Sequence, residues 1–261
     1  MSGADPGDAV ERVYAIGDLH GRLDLFRALM RAIERDHAAR APVTTRIVLL
    51  GDIVDRGPDS ATLVQGCMRL SQRNPRFTVL RGNHEEMMVH ALRGDLWAYR
   101  AWLDFGGRET LLSWGAPPEL VADLPQMPAL RAAARIVGRE VIDWLARLPL
   151  WLRHADHLFV HAGLRPGVAL DRQTPRDLLW IGEEFLDAAE DHGMTVVHGH
   201  TIHEGGPDVR ANRIGIDTGA YRTGRLTAMG LERGARWFLD TGALDAREAA
   251  GAGAAARRAA S

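Results

Sequence analysis

The chain has 261 residues, 46% of them apolar and 25% charged, with a formal net charge of −2 and a single cysteine. That length and apolar share suffice for one domain with a sizeable core. The near balance of charge argues against a protein that coats nucleic acid, and the lone Cys67 cannot form an internal disulfide, which fits a reducing compartment.

Residues 1–10 are small and polar and read as disordered, with no apolar signal core. From there a domain over 11–245 is expected, in which short runs rich in Val, Ile and Leu each end in a glycine-bounded polar cluster. Run 13–16 leads into Gly17-Asp18-Leu19-His20-Gly21, and 47–50 into Gly51-Asp52-Ile53-Val54-Asp55-Arg56-Gly57. Run 77–80 leads into Arg81-Gly82-Asn83-His84-Glu85, 157–160 into His161-Ala162-Gly163, and 195–197 into His198-Gly199-His200-Thr201. Their length and composition suit buried strands. Between them, 23–37 carries Leu25, Phe26, Leu29, Met30 and Ile33 at helical spacing, and 58–72 repeats the pattern with Pro58 near a first turn. Residues 86–153 read as a helical insertion containing Trp97, Trp102, Trp114, Trp144 and Trp151, interrupted around Pro117, Pro118, Pro125 and Pro128. Those aromatics suit either a core or a substrate shelf. Runs 213–217, 226–232 and 236–239 suggest a closing β-meander, with Arg233-Gly234-Ala235 as a hairpin turn. Residues 246–261 read as a disordered Ala/Gly/Arg tail or a fraying helix. Strand and helix alternate outside the insertion, so the class is α/β. No run is long enough to span a bilayer, and a cytoplasmic protein with neither membrane nor nucleic-acid partner is expected.

Polar clusters at strand ends are where α/β sheets hold ligands. These supply aspartates, histidines and one asparagine but no thiolate, a donor set for manganese, iron or zinc and not for a structural cysteine–zinc site. One Gly-Asp after a strand is ordinarily a turn or a cap, and one histidine is ordinarily a buried hydrogen-bonding group. Five such clusters together point to a shared site, with the glycines letting the backbone turn sharply.

The ordered series GDLHG, GDIVDRG, RGNHE, HAG and GHT resembles the phosphoprotein phosphatase family of the calcineurin-like metallophosphoesterases, most closely its bacterial and bacteriophage serine/threonine phosphatases. The likeness runs from Tyr14 to Leu231 and includes the last core strand leading to Ile216-Asp217-Thr218-Gly219-Ala220. It implies a central β-sandwich of mixed sheets flanked by helices. It also implies two divalent metals, manganese expected and iron or zinc possible, held by Asp18, His20, Asp52, Asn83, His161 and His200, with Asp52 bridging. By the same resemblance a metal-bridging hydroxide attacks phosphorus, His84 oriented by Asp55 protonates the leaving oxygen, and Arg56 and Arg81 clamp phosphate. A surface ion pair is the other reading of Arg56. His198 matches no family ligand and reads as buried or supporting, and His203 reads as surface.

The segment Leu178-Leu179-Trp180-Ile181 departs from the pattern: related bacterial sequences tend to have an arginine where this chain has Gly182, followed by Glu183 and Glu184. The phosphate contact is then missing or comes from Arg165, Arg172 or Arg176. Three functions follow. The first is a phosphomonoesterase acting on phosphoserine, phosphothreonine or phosphotyrosine in proteins, or on a small phosphoester. The second is a dinucleoside polyphosphate hydrolase such as a diadenosine tetraphosphate hydrolase, which Asp55 disfavours. The third is a metal-stabilised binding module without activity. Oligomeric state is not legible.

Overall fold

The computed structural model describes residues 11–122 and 126–242; the expected terminal segments 1–10 and 246–261, and Pro125, lie outside them. The chain opens with β1 (Glu11–Ile16), α1 (Leu23–Ala38), β2 (Thr44–Leu49), α2 (Ser60–Arg73) and β3 (Phe77–Val79). Six helices follow: α3 (Asn83–Leu92), α4 (Leu96–Trp102), α5 (Arg108–Ser113), α6 (Pro118–Ala122), α7 (Met127–Val137) and α8 (Arg139–Ala146), with a π-helical turn at Leu103–Gly107 between α4 and α5. Next come β4 (Trp151–His154), β5 (His157–Val160), α9 (Pro175–Trp180), α10 (Glu183–Leu186), β6 (Thr195–His198), β7 (Asp208–Val209) and β8 (Arg213–Gly215). The short α11 (Ala220–Thr223), β9 (Thr227–Glu232) and β10 (Ala235–Asp240) complete the described chain.

Two five-stranded mixed sheets form, in the orders β10-β9-β1-β2-β3 and β4-β5-β6-β8-β7. Each has a parallel centre, β1-β2-β3 in one and β5-β6-β8 in the other, with antiparallel strands outside it. Strand alternation assigns the side chains to layers. Val13, Ala15, Val48, Leu50, Phe159, Val197, Ile214, Met229 and Leu231 form one apolar cluster, the filling between the sheets. Tyr14, Ile16 and Leu49 belong to a second cluster with α1, α2 and the insertion helices. Leu158, Val160 and Val196 pack with Leu178 and Phe185 from α9 and α10. The α/β class and the sandwich of mixed sheets are therefore as expected.

Two expectations need correction. Run 213–217 does not join a meander: β8 pairs with β6 and β7, and of the three runs only the last two, β9 and β10, pair as a hairpin. Its turn is Arg233–Gly234, with φ of 50° and 81°, the doubly left-handed backbone that a two-residue hairpin prefers. The helical insertion ends at Ala146, and Trp151 belongs to β4. The insertion breaks at 114–117 beside Pro117, as expected, and Pro118 and Pro128 stand in the first turns of α6 and α7, where proline's missing N–H is not needed.

Glycine in mid-strand β9 has a packing reason. Gly230 faces Trp237, and a Cβ there would overlap the indole. That indole donates to Asp36 at 3.0 Å, lies under Arg40 at 3.7 Å, and meets Tyr14 edge-on at 5.9 Å. Gly230→Ala should lower stability by about 1–3 kcal/mol through overpacking, read by chemical denaturation.

Candidate active site

The ends of the parallel strands meet along one edge of the sandwich. Asp18 and His20 follow β1, Asp52, Asp55 and Arg56 follow β2, and Arg81, Asn83 and His84 follow β3. His161 follows β5 and His200 follows β6. All of these except Arg56, Arg81 and His200 are buried.

Asp52 is the common centre. Its Oδ2 lies 3.6 Å from His20 Nε2, 3.5 Å from His161 Nε2 and 3.9 Å from His84 Nε2. Two sets of side chains bring potential ligand atoms together, His20–Asp52–His84 and Asp52–His161–His200, and Asp52 is in both. Asn83 Oδ1 joins the second set, 2.7 Å from His161 Nε2 and 3.1 Å from His200 Nδ1. Asp18 lies under the following loop and accepts the His200 N–H at 3.2 Å. It falls outside both sets, whereas His84 falls inside the first.

The electrostatics suit cations. His20 Nδ1 and His161 Nδ1 each sit 2.9 Å from a backbone carbonyl, Val54 and Leu50 respectively. That partner assigns the N–H to Nδ1 and leaves the Nε2 lone pair toward Asp52, the orientation a metal-binding imidazole adopts. Burial drives His20 down to about 3 and His200 to about 4, and lowers His161 as well, so these rings are neutral near pH 7, as ligands must be. Burial opposes the charge on Asp52, but His161, His84, His20 and His200 together outweigh it and hold the carboxyl below its ordinary value. Burial, with Asp217 and Asp52 nearby, raises Asp18, and burial with Asp52 pushes Asp217 up to about 6. Crowded carboxylates that resist ionising are what a divalent ion relieves. The donor set fits two such ions sharing Asp52.

Beside this centre, His84 Nδ1 and Asp55 Oδ2 are 2.7 Å apart, and both side chains are buried. Burial disfavours the imidazolium, yet Asp52 and the hydrogen-bonded Asp55 more than compensate, and His84 titrates above its ordinary value. Arg56 reaches the cluster: its Nη1 and Nη2 donate to His20 Nε2 at 2.8 Å and His84 Nε2 at 3.0 Å, and its guanidinium stacks on Tyr221 at 4.5 Å. The surface-pair reading of Arg56 therefore fails. Arg81 is turned elsewhere, its Nη2 donating to the carbonyls of Ala146 and Leu148 at the end of α8. His198 is buried against Phe185. His203 is not a free surface residue: it is partly buried, and its N–H bonds Asp217.

Next to His200 opens a cleft of about 790 Å³ lined by Glu86, Arg165, Arg176, Trp180, Gly182 and Glu184. Trp180 stands 6.4 Å from the His200 ring, and its Nε1 donates to Glu86 at 2.7 Å. A Cβ added at Gly182 would meet nothing within 4 Å. Arg165 is committed to Asp177 and Glu184, at 2.7 and 3.0 Å.

Motif reading assigned no role to Glu85, Asp217, Trp102 or Thr110. Glu85 Oε2 accepts the N–H groups of Asp52 and Gly82, both at 2.8 Å, and Oε1 accepts those of Ile53 at 2.9 Å and Val54 at 3.3 Å. A glutamate three residues past Gly82, where a capping box places one, is the signal that could have found it. Nothing local marks the others, which meet the site through tertiary contact. Gly21 and Gly51 turn the backbone with positive φ, as expected, but two other glycines act differently. Gly82 has an ordinary φ of −99°, but a Cβ there would overlap Asp52 Oδ1 and stand 2.5 Å from its nitrogen. Gly199 is likewise filled by Asp18 Oδ1. Close approach, more than turning, demands glycine at these two positions.

A family model described as calcineurin-like phosphoesterase matches residues 11–226. A serine/threonine-protein phosphatase 1 of Salmonella typhimurium is 30% identical over 82% of this chain and 89% of its own length. An asymmetrical bis(5'-nucleosyl)-tetraphosphatase of Bacillus cereus is 28% identical over 82% of this chain and 88% of its own. A symmetrical one from Neisseria meningitidis is 31% identical, with 59% of this chain matching 44% of that protein. Among solved structures, a protein serine/threonine phosphatase of Saccharomyces cerevisiae superposes with a TM-score of 0.57 at 16% identity, covering 88% of this chain and 79% of that one. A cold-active protein-tyrosine phosphatase of a psychrophilic Shewanella gives 0.55 at 18%, covering 88% and 80%. These two likenesses are of fold.

Glu85→Gln keeps the volume but leaves one acceptor oxygen and sets an amide NH2 against backbone donors. We expect a loss of about 2–4 kcal/mol in equilibrium unfolding together with reduced bound metal by elemental analysis.

Proposed function

The chain belongs to the calcineurin-like phosphoesterase family, and from that premise we propose that this metallophosphoesterase is a phosphomonoesterase acting on phosphoserine and phosphothreonine side chains of proteins, with phosphotyrosine a further substrate. The observation that carries the reading is the buried His84–Asp55 pair, 2.7 Å apart, beside a histidine–aspartate cluster organised on Asp52. In this reading Asp18, His20, Asp52, Asn83, His161 and His200 hold two divalent ions, manganese being our expectation. When bound, the ions supply Lewis acidity toward phosphoryl oxygen and an activated water.

The chain's own groups do the rest. Arg56 turns its paired N–H groups from His20 and His84 to two phosphoryl oxygens, a planar fork on a tetrahedral anion. His84 Nε2, released from that guanidinium, carries the proton that the leaving oxygen takes. Asp55 keeps the imidazole aimed and favours its charged form. Arg81 shares the phosphate only by giving up a carbonyl at the end of α8.

Dinucleoside polyphosphate hydrolysis is the second reading. It is supported by the symmetrical and asymmetrical tetraphosphatases among the relatives and by the cleft, where exposed Trp180 and Arg176 offer an aromatic face and a cation. The phosphatase and the asymmetrical tetraphosphatase match over the same share of this chain, so the presence of Asp55 is what favours the first. A binding module without chemistry is disfavoured by the intact His84–Asp55 pair.

With manganese supplied, phosphoserine and phosphothreonine peptides should be turned over faster than diadenosine tetraphosphate; the reverse order supports the second reading. His84→Asn should lower kcat by about 10²–10⁴-fold with metals retained. No hydrolysis by the unmodified protein would favour the binding module. Because the space at Gly182 is open, Gly182→Arg should raise kcat/KM on a small aryl phosphate by about tenfold; an unchanged or lower value means that no clamp is lacking there.

A further inference from the structure

The tryptophan-rich insertion reaches the reaction through one carboxylate. Trp102, the last residue of α4, is fully buried, and its Nε1 donates to both Asp55 oxygens at 3.0 Å. Thr110 on α5, also fully buried, donates from Oγ1 to Asp55 Oδ1 at 2.6 Å and accepts the Asp55 N–H at 2.8 Å. The π-helical turn between these helices adds a third hold, Gly106 O accepting the Arg56 N–H at 3.3 Å. Gly106 sits at φ 114°, and a Cβ there would come within 2.6 Å of the Arg56 nitrogen.

These holds act on a strained loop. Asp55 and Arg56 have φ of 73° and 67°, two consecutive left-handed residues without glycine, a conformation that side chains with a Cβ disfavour. Such a conformation persists only where its surroundings over-determine it. Both Asp55 oxygens are taken, Oδ1 by Thr110 and Trp102, Oδ2 by Trp102 and His84. A carboxylate held on both oxygens cannot rotate, and the imidazole bonded to it keeps Nε2 directed at the cluster.

We propose that Trp102 and Thr110 are positioning residues for the proton donor: the insertion fixes Asp55, and through it the aim of His84. This rests on the reading of His84 as the leaving group's proton source. Trp102 is a core residue, as one of the two expectations had it, and the proposal adds to that a role in the chemistry of the site.

A proton donor matters most when the leaving oxygen is basic, so the test is a leaving-group series from 4-nitrophenyl phosphate through phenyl phosphate to a phosphoserine peptide. Trp102→Phe keeps an aromatic ring without the N–H, and Thr110→Val keeps the shape without the hydroxyl. Each should lower kcat by about 10–100-fold on the peptide but only a few-fold on 4-nitrophenyl phosphate, with KM and metal content unchanged. Thr110→Ser should restore the profile. His84→Asn, run alongside, should give the same steepening more strongly, and Trp102→Phe added to it should change nothing further. If His84→Asn steepens the series while the other two variants lose activity uniformly, or not at all, the positioning role is overturned and the proton-donor reading stands. If His84→Asn itself gives a flat loss, that reading fails. Should Trp102→Phe not fold, Thr110→Val against Thr110→Ser decides.

Discussion

The site depends on one buried carboxylate that touches no substrate in our reading. Glu85 accepts four backbone N–H groups, three from the loop after β2 and one from Gly82 in the loop after β3. Four donors on one anion in a dry environment make a stiff joint, because each lost bond leaves a buried N–H without a partner. Burial and the nearby Asp52 charge push Glu85 up to about 7, and the Gly82 and Asp52 N–H groups oppose that rise. The joint brings Asp52 against Asn83 and His84, and it leaves no room for any side chain at Gly82.

Strain gathers where the joint holds. Among the described residues other than glycine, positive φ occurs at His20, Asp52, Asp55, Arg56 and His200, and otherwise only at Ala155 and Arg233. Five residues that the motifs single out thus sit in a backbone region that favours glycine. Glu85, the carbonyls bonded to His20 and His161, and the insertion's grip on Asp55 supply the contacts that stabilise it. The two sheets contribute by parallel geometry: each directs the ends of its three central strands to the same edge, so loops distant in sequence meet there.

The surroundings of the site are asymmetric. On the Arg56 side, Tyr221 and the π-helical turn close against the guanidinium. On the His200 side, the cleft beside Trp180 is open, and its Arg165 is already neutralised by Asp177 and Glu184. In our reading Arg56 meets the phosphate, while the open side keeps Arg176 as its cation and has room for a leaving group of some size.

The class and the strand ends were legible in sequence, because each glycine-bounded cluster lies next to a short apolar run, and the grouping of Asp52 with His20, Asn83, His161 and His200 followed from the family resemblance that those clusters carry. Local pattern carries that much, since strand periodicity and loop composition are properties of neighbouring residues. It could not show that β8 and β9 belong to different sheets, because pairing is decided across the core. Nor could it tell that Arg81 turns to the end of α8, or that glycine serves close approach at Gly82 and Gly199. Trp102 and Thr110 stand 47 and 55 positions from Asp55, in a segment whose aromatics read as core sooner than as a shelf, with nothing local to tie them to Asp55. Sequence alone determined the chemical types and the strand ends that carry them. Tertiary structure decided which of those groups touch, because hydrogen bonds to a buried carboxylate form between whatever groups the packing brings within reach.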